Sequence, residues 1–159
     1  MFGNESGRRM SKMVDIATAI AAHAAARPNA IALNLDGNRI AWQTFQAEVG
    51  DWASAFMVQT SGEKIALSFD NSAELVIAIC AAIRAGKCAQ VLDPAWPSGI
   101  ADKVVSALGP DLFLDTPPPQ HPRPGPTECR PDIHRPFYAG FTSGSTGMPK
   151  GFLRSQHSW

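Results

Sequence analysis

Between residues 137 and 151 the chain reads FYAGFTSGSTGMPKG. Thr142, Ser143, Ser145 and Thr146 place four hydroxyls within five residues, interleaved with Gly144 and Gly147. Hydroxyls donate hydrogen bonds to anionic oxygens. Glycines let the backbone take φ > 0 and bring its N–H groups against an anion. Lys150 follows with a compact positive charge, and Pro149 limits how the loop can close. These residue types in this order suit one task, wrapping the polyphosphate of a nucleotide. The spacing excludes the two commonest phosphate motifs. A Walker A loop needs G-x-x-x-x-G-K-[ST], whereas here Gly147 stands three positions before Lys150 and Gly151 follows it. There is no G-x-G-x-x-G dinucleotide fingerprint either. On composition alone the stretch equally suits a plain flexible surface turn, and Lys150 either screens phosphates or only holds the loop.

The loop has to be positioned by its flanking segments. Phe137 to Phe141 reads as a strand entering it, and Gly151 to Leu153 as the start of a strand leaving it. Upstream, the apolar spacing predicts a helix over Met13 to Arg27, stopped by Pro28, then a hairpin of Ala30–Asn34 and Arg39–Trp42 around Asp36-Gly37-Asn38. Phe45, Val49, Trp52 and Phe56 recur at four, three and four, a helical stripe within Gln43 to Gln59. Then come a strand (Lys64–Phe69), a helix capped at Asn71-Ser72 with Leu75, Ile79 and Ile83 on one face, and a strand (Cys88–Leu92). A helix (Ser98–Leu108) and a short strand (Leu112–Leu114) complete the alternation. This predicts an α/β fold: a partial doubly wound, largely parallel sheet with flanking helices and an N-terminal helix plus hairpin. Thr116 to Pro136 is rich in proline, lacks apolar periodicity and reads as an exposed connector. Residues 1–12 read as a disordered start and 13–159 as one partial domain.

Other function classes find little support. Formal charge is zero over 159 residues, so no general attraction to nucleic acid is expected. The longest apolar run, Leu75 to Ile83, falls short of the roughly 20 residues a membrane span needs. Asp15 and His23 interrupt what would be the hydrophobic part of a secretory leader, and a cytoplasmic protein is expected. Cys80, Cys88 and Cys129 have neither zinc-site nor disulfide-framework spacing. Cys80 and Cys88 sit in apolar segments and read as buried small hydrophobes. His121, His134 and His157 read as solvated side chains. No metal ligand set and no catalytic residue is assigned.

The segment FTSGSTGMPKG, Phe141 to Gly151, resembles the signature of the AMP-binding, adenylate-forming superfamily, which includes acyl-CoA synthetases and peptide-synthetase adenylation domains. The superfamily pattern is an aromatic or apolar residue followed by T-S-G-[ST]-T-G-x-P-K-G, and every position fits. Ile83 to Pro94 (IRAGKCAQVLDP) resembles the superfamily's Lys/Arg-Ala-Gly…Val-Pro-Leu-Asp-Pro segment, with Trp96-Pro97 following. Arg39 to Phe45 (RIAWQTF) matches its Leu-Thr-Tyr…Glu-Leu stretch more loosely. The resemblance runs in order from about Met13 to Trp159.

The resemblance implies an ATP-dependent acid–thiol ligase. A carboxylate attacks the α-phosphate of Mg-ATP to give acyl-AMP and pyrophosphate, and a thiol of coenzyme A or of a carrier protein's phosphopantetheine then takes the acyl group. It implies that Thr142, Ser143, Gly144, Ser145, Thr146, Gly147 and Lys150 hold the β- and γ-phosphates. It also implies that the chain is the N-terminal portion of such an enzyme, with an incomplete version of its N-terminal domain and no activity alone. The competing reading is a non-catalytic remnant, or one half of a split enzyme that pairs with a C-terminal half. One residue departs from the pattern: Gln156 stands where the superfamily carries histidine, with His157 next to it; either a one-residue shift restores the match or a contact near the nucleotide or acyl site is altered. Strands 137–142 and 151–153 are expected to lack partners, leaving exposed edges and marginal stability.

Overall fold

In a computed structural model of the chain, described for residues 15–35, 37–119, 132–142 and 148–158, helices and strands alternate as the apolar periodicity predicts. Helix α1, Ile16–Ala26, opens on Asp15. Its carboxylate accepts from the Thr18 N–H and hydroxyl at 2.9 and 2.7 Å, occupying an amide that the helix leaves unpaired. The predicted start at Met13 lies outside the described residues. Strands β1, Ile31–Leu35, and β2, Asn38–Ala41, pair antiparallel. They sit one residue off the predicted bounds, because Leu35 pairs with Asn38 and the turn needs only residues 36 and 37. Gly37 takes φ 82° there, a conformation open to glycine.

Helix α2, Trp42–Gln59, buries Phe45, Val49, Trp52 and Phe56, the predicted stripe, with Ala53 beside it. Strand β3, Lys64–Leu67, leads to helix α3, Ala73–Arg84, whose N-cap Ser72 accepts from the Leu75 N–H. Ile77, Ala78, Ala81 and Ala82 of α3 are buried, while Leu75 and Ile79 are only half-buried. Of the predicted stripe, Ile83 is buried, while Leu75 and Ile79 flank the buried face. Alanines let the helix lie close to its neighbours, and periodicity weighted by side-chain size overlooks them. After α3, Gly86 takes φ 69°; its N–H bonds the Ile83 carbonyl and that of Lys87 the Ala82 carbonyl, a Schellman ending. Strand β4, Cys88–Val91, helix α4, Ser98–Leu108, and strand β5, Leu112–Leu114, come next. Beyond the connector lie β6, Pro136–Thr142, and β7, Lys150–Ser155.

Five described strands form one sheet in the order β5-β3-β4-β6-β7. The first four are mutually parallel and β7 runs antiparallel to β6. The expectation that the last two strands lack partners is corrected for both: β6 bonds β4 on one side and β7 on the other, and β7 bonds β6. Of these two, only β7 keeps a free edge, with Phe152 and Leu153 exposed. Gly140 permits this pairing, since a Cβ there would come within 2.7 Å of the Phe152 and Tyr138 rings.

Side chains alternate across the sheet. Ile65, Leu67 and Ala89 face α1, α2 and α3 in the main core. Ala66 faces the other way, where it packs with Leu92 and with Val104 of α4. Helices on both faces make the sheet doubly wound, as predicted. At its base, the Asp111 carboxylate accepts from the Glu63 and Lys64 N–H groups, both at 2.9 Å. The buried Lys87 ammonium donates to the Thr60 and Gly62 carbonyls.

Candidate phosphate-binding site

The sheet order creates a crevice at one place. The chain leaves the carboxyl end of β3 toward α3 on one face and that of β4 toward α4 on the other. Ligands in doubly wound folds bind outside the carboxyl ends of the strands where connections diverge in this way. A cleft of about 460 Å³ opens there, lined by Phe69 and Asn71 after β3, Asp93, Pro94 and Trp96 after β4, and Thr142 and Pro149 at the loop. Trp96 meets Phe141 edge to face, with ring centroids 5.2 Å apart at 86°, a favoured aromatic arrangement. Asp93 accepts from the Ala95 N–H at 2.9 Å and holds its turn.

The loop is anchored at both described ends. Thr142 and Lys150 are cross-strand partners, the last rung of the β6–β7 hairpin. The Thr142 hydroxyl donates to the Lys150 carbonyl at 3.4 Å. The structure therefore brings together the first and last residues assigned to phosphate. Ser143, Gly144, Ser145, Thr146 and Gly147 lie outside the described residues. Thr142 and Lys150 are exposed, and a hydroxyl and an ammonium on one rung are the donors a polyphosphate accepts. Among the described residues, no group of three or more His, Cys, Asp or Glu could hold a metal ion.

Other assigned residues lie elsewhere. Gln156 comes after β7 at the end of the hairpin away from the loop, where its Oε1 accepts from the Ile16 N–H at 2.8 Å. The expected effect on a nucleotide or acyl contact is corrected: this side chain caps the first turn of α1. His157 is exposed and lies against the exposed His134, with ring centroids 4.8 Å apart and the rings tilted by 47°, at that same end. Burial pushes the Cys80 thiol up to about 12 and raises that of Cys88 too, with Lys64 opposing the rise, so neither is an activated nucleophile. Cys129 lies outside the described residues, as does His121. Sequence reasoning missed Phe69, Asn71, Asp93 and Trp96 as cleft walls. Their signal was position: each stands just beyond the carboxyl end of a parallel strand.

Residues 20–123 match the AMP-binding enzyme family, well over half of the chain. The chain belongs to the AMP-binding enzyme family. It is 26% identical over 141 residues to VraA of Staphylococcus aureus (strain COL), provisionally named a long chain fatty acid-CoA ligase, covering 86% of this chain and 31% of VraA. It is 28% identical over 153 residues to YhfT of Bacillus subtilis (strain 168), an uncharacterized acyl-CoA ligase, covering 83% of this chain and 32% of YhfT. The chain thus spans about a third of these relatives. Its fold matches the N-terminal subdomain of Klebsiella oxytoca NpsA in complex with 3-hydroxyanthranilyl-AMSN (TM-score 0.76, 20% identity, 89% of this chain and 40% of that one). It also matches o-succinylbenzoate CoA synthetase from Bacillus subtilis in complex with the acyl-adenylate intermediate OSB-AMP (TM-score 0.71, 18% identity, 86% and 41%). This AMP-binding family fold is therefore the α/β architecture that the sequence predicts. Among the described residues, no helix is long and apolar enough to cross a membrane.

Proposed function

We propose that the chain is the phosphate-gripping portion of an ATP-dependent acid–thiol ligase. In this reaction a carboxylate oxygen bonds to the α-phosphorus of ATP. The α–β bridge breaks, pyrophosphate leaves, and a coenzyme A or carrier-protein thiol then displaces AMP from the acyl group. The observation carrying this reading is the Thr142–Lys150 rung, which sets the two described ends of the FTSGSTGMPKG segment side by side at the cleft that Thr142 and Pro149 line. Hydrogen bonds from Thr142, Ser143, Ser145 and Thr146, from the backbone at Gly144 and Gly147, and the Lys150 charge would oppose the negative charge that grows on the departing pyrophosphate. Donors that strengthen as charge develops accelerate the step. Magnesium would arrive with ATP and would offset part of the phosphate charge. The family supports the reaction class; the carboxylate and the acceptor thiol are left open by it.

The test has two parts. Titration of the chain with magnesium pyrophosphate, monitored by calorimetry, should give saturable binding. Lys150→Ala should weaken it about tenfold, the size of a lost charge-assisted contact, with unchanged melting temperature. Carboxylate-dependent exchange of labelled pyrophosphate into ATP should appear in the native gene product and be absent from the 159-residue chain alone. Pyrophosphate binding that is absent, or equal in Lys150→Ala, would remove the loop from this role.

A further inference from the structure

The Thr142–Lys150 rung stands where the sheet gives it least support. β6 pairs with β4 at Tyr138 and Ala139. Past Ala139, its residues Gly140, Phe141 and Thr142 pair, among the described strands, with β7 alone, and β7 is the edge of the described sheet. A two-stranded ribbon is marginal by itself. The Thr142 hydroxyl reaches the Lys150 carbonyl at 3.4 Å, a long hydrogen bond. One residue before the rung, the Phe141 ring supplies what the strands do not. Its cross-strand partner is Gly151. A Cβ on Gly151 would lie 3.1 Å from the ring, so the ring sits close over the β7 backbone. The same ring meets Trp96 edge to face, and both rings join the apolar cluster of Ala66, Leu92 and Val104.

Trp96 is itself firmly held. The Leu92 N–H, where its turn begins, donates to the Leu67 carbonyl of β3 at 2.9 Å. The Asp93 carboxylate accepts from the Ala95 N–H at 2.9 Å, and the Asp93 carbonyl from the Trp96 N–H at 3.2 Å. Pro94 and Pro97 fix φ before and after the indole. The Pro97 carbonyl accepts from the Ile100 and Ala101 N–H groups at 2.8 and 3.0 Å as α4 begins. The indole is thus carried by β4 and α4, not by the hairpin it touches. We propose that Trp96 is a positioning residue for the phosphate-binding loop: through Phe141 it holds the Thr142–Lys150 rung where β4 no longer pairs with β6, and so sets how tightly the loop takes a polyphosphate. The inference rests on the phosphate reading of the loop and adds to it a residue outside the loop. In this role the indole acts through Phe141 and not through a hydrogen bond to the phosphate. The worth of an edge-to-face pair corresponds to about a threefold to tenfold change in an opening equilibrium.

Amide hydrogen exchange of the 159-residue chain, resolved by NMR, reads the rung without any ligand. Trp96→Leu keeps apolar cover over Val104 and removes the ring. Exchange of the Gly140–Thr142 and Lys150–Phe152 amides should rise about threefold to tenfold, while Tyr138 and Arg154, toward the far end of the hairpin, keep wild-type rates. Trp96→Phe restores an aromatic ring and should return the rung to within about twofold of wild type. The dissociation constant for magnesium pyrophosphate should rise by the same factor in Trp96→Leu and recover in Trp96→Phe. Phe141→Leu should loosen the same amides, and adding Trp96→Leu to it should loosen them no further. Unchanged rung amides in Trp96→Leu would overturn the proposal. So would an equal rise at both ends of the hairpin, or additive effects in the double variant, since Trp96 would then serve general stability. Weaker pyrophosphate binding beside unchanged rung amides would make Trp96 a direct ligand contact and overturn the positioning role. A wild-type chain that takes no pyrophosphate, with a rung that still responds to Trp96, would leave the coupling standing and count against the phosphate reading alone.

Discussion

The two faces of the sheet are built from the same strands and finished to different degrees. On one face, Phe56 from α2, Ile65 and Leu67 from β3 and Ala78 and Ala81 from α3 reach zero exposure in a continuous core. On the other, Val104 of α4 meets Ala66 and Leu92 in a small cluster, and a second cleft, lined by Gln90, opens beside it. A closed apolar face supplies stability. The open one leaves the Gln90 amide oxygen buried without a donor, a cost the closed face does not carry. The crevice at the strand ends is a third kind of surface. It shares Phe141 with the open face but is rimmed by Asn71, Asp93 and Thr142, groups that can also meet water.

The largest expected effect tests where stability resides. Phe56→Ala removes a fully buried ring at the α2–α3 contact and should cost about 3–5 kcal/mol. Val104→Ala, its nearest counterpart on the open face, should cost about 1–2 kcal/mol. Urea denaturation of the chain measures both. A Val104→Ala loss equal to that of Phe56→Ala would mean the α4 face is closed in solution and would erase the contrast.

Next in size is Gly62→Ala, at the base where both faces begin. A Cβ there would overlap the Asp111 carboxyl group, which accepts from the Glu63 and Lys64 N–H groups. Displacing it unpairs two amides at the head of β3, and a loss of about 1–3 kcal/mol is expected. The double variant with Asp111→Ala relieves the overlap and should lose less than the sum of the two single changes. Simple additivity would show that Gly62 and Asp111 act independently.

The closed face was largely legible in the sequence, and the open one was not. Phe45, Val49, Trp52 and Phe56 announce a buried helical stripe because large apolar side chains at that spacing have few other uses. The strands that flank the loop were legible too, since Phe137–Phe141 and Gly151–Leu153 fall within β6 and β7. Strand order was not legible: nothing local to Leu112–Leu114 says that it pairs with β3, or that β6 lies beside β4. The crevice is a consequence of that order, so its walls at Phe69 and Trp96 came only with the fold. Gln90 reads as an ordinary strand residue until the fold shows its side-chain oxygen buried without a donor. Gln156 shows the same limit, since its bond to Ile16 spans 140 positions.

The smallest effect belongs to the solvent side of the closed face. Partial burial, then the nearby Glu74 and Asp51 carboxylates, raise the Glu48 carboxyl above its usual range. The folded state therefore binds the Glu48 proton more tightly than the unfolded state does. Between the unfolded and the raised folded pKa, stability falls as pH rises, and it remains lowered at neutral pH. Glu48→Gln removes this charge, so it should stabilise the chain slightly at pH 7, within about 0.5 kcal/mol for a largely solvated site. The gain should vanish once the pH drops below the ordinary carboxylate range, where Glu48 is protonated in both states. Melting temperatures of the two proteins from pH 3.5 to 7.5 measure it. A difference that is constant across this range would assign the effect to side-chain packing, and a loss at pH 7 would mean that Glu48 has a cationic partner in solution outweighing Glu74 and Asp51.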